Sequence, residues 1–140
     1  TSGLNRLQFL TLSLMAEISQ LFMETKGRFV KVVEILNRER KKRIFLYGAG
    51  VIGKIVLNIL KAEDFNILGF IDDSPLKQGG KMYGFKVYEP KIALRISHDA
   101  VIIASFKHSK IMIQKAKDIG YDNIYVFNVS EEGSVSLERR

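Results

Sequence analysis

Three glycines in G-x-G-x-x-G spacing, Gly48, Gly50 and Gly53, followed by the acid pair Asp72 and Asp73, are the residues best suited to hold a charged ligand. Each glycine has its own task. Gly48 lets the backbone turn sharply, Gly50 has no Cβ to keep a pyrophosphate off the main chain, and Gly53 lets a helix pack closely on a sheet. The helix that follows offers unpaired N–H groups and a partial positive charge at its N-terminus. Gly48, Ala49, Gly50, Val51, Ile52 and Gly53 are therefore candidate binding residues. Asp72 or Asp73, about 20 residues beyond the last glycine, would accept hydrogen bonds from ribose hydroxyls. A carboxylate there repels a 2′-phosphate, which favours NAD-like or UDP-like ligands over NADP. The competing account is a tight βα turn whose glycines serve packing alone.

Other chemistry is sparse. His98 and His108 are the only histidines and cysteine is absent, so a disulfide, a thiol nucleophile or a Cys-ligated metal is excluded. No metal site is expected, because the histidines lack ligand spacing with a carboxylate. Ser105 has no G-x-S-x-G elbow and no assigned base, so it reads as a helix N-cap or a group that hydrogen-bonds a ligand. Lys107 and Lys110 lie where a phosphate could meet them, against the simpler reading of two surface lysines. Asp72 and Asp73 are not expected to form an acid–base pair, since adjacent residues at a strand end usually point to opposite sides. No residue is assigned a catalytic role.

The elements that must position these groups are legible from apolar patterning. Ile44–Tyr47 reads as a strand ahead of the glycines. Val51, Ile52, Ile55, Val56, Ile59 and Leu60 make a helix stripe, and Ile67–Ile71 is a second strand ending at the acids. The segment from Ser74 to Gly84 is punctuated as loop by Pro75, Gly79, Gly80 and Gly84. Phe85–Tyr88 reads as a short strand, Pro90 to Ile96 as a short helix, and Ala100–Ala104 as a strand buried on both faces. A helix over 108–119 capped by Gly120 and a strand over 123–127 follow. The result is an α/β, Rossmann-like parallel sheet, order 3-2-1-4-5, flanked by helices. The chain divides into an N-terminal helical hairpin over 1–42, a nucleotide-binding domain over 43–128 and a polar tail over 129–140, expected to be mobile. In the hairpin, 4–24 carries a wide apolar stripe suited to a homodimer contact or to an absent domain. The second helix spans 28–42 and buries Phe29, Val32, Val33 and Leu36.

With 140 residues, 46% apolar and 26% charged, one globular domain is expected. The net charge is +7, with a cluster at Arg38, Arg40, Lys41, Lys42 and Arg43. No aromatic interleaves it and no nucleic-acid motif accompanies it, so it reads as a solvated helix end. Polar residues interrupt the 4–24 stripe, so no membrane span is expected. No signal peptide is apparent and a cytoplasmic location is the default.

The stretches LYGAGVIGK, GFIDDSPLKQGGKMYGFKVYEP and AVIIAS resemble small Rossmann domains of bacterial surface-polysaccharide biosynthesis. These are the N-terminal domains of CapD-like nucleotide-sugar dehydratases and epimerases and of PglD-like sugar O-acyltransferases. Similar modules accompany FkbM-like and sugar C-methyltransferases. Gly69 to Asp73, Pro75, Lys77, Gly79, Gly84 and Val87 match the shared pattern. The resemblance implies that the glycine turn faces a diphosphate and that Asp72 or Asp73 faces a ribose or base. NAD is the implied cofactor and a UDP-sugar the alternative ligand. The Tyr-x-x-x-Lys pair of the dehydratases is missing, since Tyr83/Lys86 and Tyr88/Lys91 are each one residue short. The expected function is thus a nucleotide-binding module, part of a larger enzyme, or else a non-catalytic, dimerising module that senses a dinucleotide.

Overall fold

A computed structural model of the protein describes residues 33–129 and 135–140. The expected helix over 4–24, with its proposed dimer contact, lies outside them, as does the start of the second helix. The end of that second helix is helical over residues 33–38, where Val33 and Leu36 pack into the core as their spacing implies.

The sheet follows from strands that are apolar on both faces. β1 (Arg43–Tyr47) sends Ile44 and Leu46 to one face and Phe45 and Tyr47 to the other. Central β5 (Ala100–Ile103) divides Ala100 and Ile102 from Val101 and Ile103 in the same way. Such strands are satisfied only where helices cover both sides. On the first face lie residues 33–38 and α1 (Val51–Ala62), which buries Val56, Leu57 and Leu60. On the second lie α2 (Pro90–Leu94) and α3 (Ser109–Ile119), which contribute Ala93 and Ala116.

The remaining strands are β2 (Asn66–Ile71), β3 (Lys81–Met82), β4 (Phe85–Tyr88), β6 (Ile124–Val129) and β7 (Val135–Arg139). The sheet runs β3-β4-β2-β1-β5-β6-β7. Its five parallel strands stand in the expected 3-2-1-4-5 order, but two antiparallel edge strands were not foreseen. β3 pairs with β4 through a tight turn at Tyr83 (φ 54) and Gly84 (φ 85). Two consecutive left-handed residues are what a two-residue type I′ hairpin demands. Gly84 signalled the turn, whereas a tyrosine in the first position disguised it. β7 replaces part of the expected mobile tail. It pairs antiparallel with β6, and Leu137 (6% exposed) joins the first core face. Arg139 donates to Asn123 Oδ1 at 2.6 Å and lies 3.6 Å from Glu39, which also accepts the Tyr125 hydroxyl. The tail is thereby tied both to the sheet and to the chain entering it.

At the opposite end of the strands from the glycine turn, Asp99 clamps the start of β1 to the start of β5. Its carboxylate accepts the backbone N–H groups of Arg43 (2.8 Å) and Lys42 (3.0 Å) and the Arg43 guanidinium (3.3 Å). The Arg43 N–H, then the Lys42 N–H and the guanidinium, outweigh partial burial and hold the carboxyl below its ordinary range. Asp99→Ala should cost about 1–3 kcal/mol at neutral pH, the cost of leaving such donors unpaired. Because the folded value is lowered, the stabilisation is present above about pH 4 and is lost as pH falls through the folded value. The gap between urea melts of the two proteins should therefore shrink as pH falls below about 4; an equal gap at pH 7 and pH 2 would contradict this assignment.

Among the described residues, no helix is long and apolar enough to cross a membrane.

Candidate functional site

Between β1 and β5 the strand order reverses, so the loops leaving β1 and β5 diverge and open a cleft beyond the strand C-termini. This cleft has a volume of about 540 Å³. Its lining includes Gly48, Ala49, Gly50, Val51, Ile52, Asp72, Asp73 and Ser105. Gly53 and Lys107 do not line it: Gly53 is buried beneath the turn, and Lys107 is exposed outside.

The glycine turn is built as its spacing implies. Gly48 (φ 119) sits where an added Cβ would lie 2.9 Å from the Ala104 carbonyl oxygen. Gly53 meets the turn itself, its absent Cβ falling 2.2 Å from the Gly48 carbonyl oxygen. Gly50 is different: nothing lies within 4 Å of the position a Cβ would take. It is also the N-cap of α1, with no side-chain cap and no acid in the first turn. The first-turn N–H groups are thus left without a capping side chain at the cleft.

Both aspartates line this one cleft, but their carboxylates turn to different partners. β2 ends at Ile71, so the strand's alternation no longer governs them. Asp72 is committed to the protein. Its carboxylate accepts the Ala49 N–H at 2.9 Å and the Ser74 N–H at 2.9 Å, joining the glycine turn to the loop after β2. Asp73 is more open, with a side chain 41% exposed. One oxygen accepts the Tyr47 hydroxyl at 2.6 Å and the other accepts Lys115 Nζ at 3.4 Å. Burial, and then that bond to Asp73, raise the Tyr47 phenol above its usual range, so it stays a donor at neutral pH. Asp73 is therefore the more accessible of the two acids, with its orientation set from β1 and α3.

Ser105 lines the cleft but is not the N-cap of α3, a place taken by His108. The Ser105 Oγ accepts the His108 N–H at 3.1 Å and so holds the turn leading into the helix. His108 also lines the cleft. Lys110 lines a different depression, beside β6.

The cleft's lysines are Lys77 and Lys115, neither assigned to it from the sequence. His108, Ile111, Met112 and Lys115 stand at i, i+3, i+4 and i+7, one face of a helix, so Lys115 was findable once the face was known. Tyr47 was hidden in an apolar run: its ring is core and only its hydroxyl reaches the site.

Residues 40–127 match the family model described as C2185-like, N-terminal. Among solved structures, the chain is similar to UDP-D-quinovosamine 4-dehydrogenase from Vibrio fischeri, at 25% identity and a TM-score of 0.52, over 71% of this chain and 93% of that one. It is also similar to RSP, a Rex-family repressor, at 20% identity and a TM-score of 0.53, over 76% of this chain and 54% of that one. A structure of RSP in complex with β-NADH matches at 20% identity and a TM-score of 0.51, over 76% and 55%. The chain thus spans about half the length of the RSP chains, and that likeness concerns the fold. No curated protein matches the sequence. The architecture is Rossmann-like.

Proposed function

The chain belongs to the C2185-like N-terminal family, and from that premise we propose that its cleft binds a nucleotide carrying a diphosphate, NAD or a UDP-sugar. The carrying observation is the free space at Gly50, where nothing stands within 4 Å of an added Cβ. That space lies beside the uncapped start of α1 and in the same cleft as Asp73. A glycine required only for packing has neighbours in that position, as Gly48 and Gly53 do. The diphosphate would sit against the turn, and Asp73 would accept from the ribose diol.

The similar structures, a UDP-D-quinovosamine 4-dehydrogenase and a Rex-family repressor in complex with β-NADH, support a nucleotide ligand of this kind. The likeness of the Asp72–Gly79 segment to CapD-like and PglD-like modules supports a place in nucleotide-sugar or surface-polysaccharide biosynthesis. Within that reading the chain is a binding module, working in the cytoplasm and associating through residues 4–24 or a further domain. Residues 43–128 would hold the nucleotide.

Titration with NADH, NADPH and UDP-GlcNAc tests this. NADH or UDP-GlcNAc should bind with micromolar affinity, and NADPH about tenfold more weakly than NADH, because Asp73 opposes the 2′-phosphate. Asp73→Ala should weaken NADH about tenfold and narrow the difference between the two cofactors. If neither NADH nor UDP-GlcNAc binds, the proposal falls.

A further inference from the structure

We propose that Lys77 is the counter-ion of the bound diphosphate, leaving its resting contacts to meet it; this rests on the nucleotide reading above. The cleft holds two lysine–aspartate pairs, Lys77 with Asp72 at 3.9 Å and Lys115 with Asp73 at 3.4 Å. Their charges cancel, so a dianionic ligand needs a cation that can leave its partner without leaving a buried charge unpaired.

Lys77 meets that condition. Its contacts are long, 3.4 Å to the Ala49 carbonyl oxygen and 3.9 Å to Asp72, against about 2.7–2.9 Å for a well-made charge-assisted bond. Asp72 does not depend on it, since the Ala49 and Ser74 N–H groups already hold both carboxylate oxygens. Lys115 is the poorer candidate. Its side chain is 53% exposed, and it is one of two groups that orient Asp73.

The backbone under Lys77 is also fixed independently of its side chain. The Ser74 carbonyl accepts the N–H groups of Lys77 (3.1 Å) and Gln78 (3.2 Å), and the Gln78 side chain donates to the Asp72 carbonyl at 2.8 Å. The ammonium can therefore swing without unfolding the loop. Its contact with the Ala49 carbonyl starts it beside the glycine turn, next to the open position at Gly50. A lysine carries three donors on a flexible stem, suited to following a phosphate as a point charge.

The test uses whichever of NADH and UDP-GlcNAc binds the wild-type chain, since both carry a nucleoside diphosphate. Lys77→Met keeps the apolar stem, and Lys77→Arg keeps the charge. Lys77→Met should weaken binding about tenfold and flatten the dependence of Kd on salt, with the melting temperature unchanged and Lys77→Arg restoring most of the affinity. Lys91→Met, at an exposed position of α2, controls for overall charge and should not change Kd. Wild-type affinity and an unaltered salt dependence in Lys77→Met would overturn the assignment while leaving the nucleotide reading intact. Failure of the wild-type chain to bind either ligand would remove both.

Discussion

Gly53→Ala is expected to destabilise the fold by about 3 kcal/mol or more, although alanine is the better helix former by about 1 kcal/mol. The collision decides the sign. An added Cβ would stand 2.2 Å from the Gly48 carbonyl oxygen and 3.0 Å from Phe70 Cε1. The phenyl ring could shift by a few tenths of an ångström. The carbonyl cannot, because the turn that carries it is pinned on both sides. The Gly48 N–H donates to the Ile71 carbonyl at 2.7 Å, and Ala49 donates to Asp72 at 2.9 Å. Relief therefore requires α1 to lift off the sheet, separating Val56 and Leu60 from β1 and β2. For a chain of this size a loss of that order lowers the melting temperature by roughly 10 °C. Thermal melts of the two proteins measure it. An unchanged or higher melting temperature would mean that helix and turn are not in the close contact described.

The same position shows how far the sequence could be read. Spacing of glycines, strand and acid placed the turn, and the both-faces-apolar runs at Ile44–Tyr47 and Ala100–Ile103 placed the two strands flanking the reversal. Those signals are local and periodic, so they survive without tertiary information. What was lost depends on partners distant in sequence. β7 looked polar because Leu137, buried against the first core face, stands among Ser136, Glu138 and Arg139, and its pairing with β6 is invisible locally. β3 was hidden because Tyr83 takes a left-handed conformation that glycine or asparagine would ordinarily announce. In the cleft, the two aspartates could not be told apart. Only the fold shows that Asp72 is held by main-chain N–H groups while Asp73 faces Tyr47 and Lys115. Lys107 drew notice as a charge near the end of β5. Yet the cations reaching the cleft come from the loop after β2 and the inner face of α3.

Gly50→Leu should do the reverse of Gly53→Ala, keeping the fold and removing the ligand. Gly50 has φ −109 and ψ −155, a backbone conformation open to other residues, and nothing stands within 4 Å of an added Cβ. An added Cβ there meets no protein atom. The melting temperature should change by no more than a few degrees, in line with the small cost of ordinary surface changes. The isobutyl group would project into the cleft at the mouth of α1, where the diphosphate must approach the first-turn N–H groups. Both the contacts and the access are lost together, so binding of NADH or UDP-GlcNAc should weaken at least about 100-fold, more than for a single side-chain contact. Gly50→Ala should fall between, since one methyl group leaves part of the approach open. The graded series matters because an indirect effect through stability would follow the melting temperature rather than side-chain size. If Gly50→Leu binds as the wild-type chain does, the ligand does not sit on this turn, and the open space at Gly50 has no part in binding. If affinity collapses while the melting temperature holds, Gly50 is kept for the ligand and Gly53 for the fold, two roles that identical residues three positions apart cannot display in the sequence.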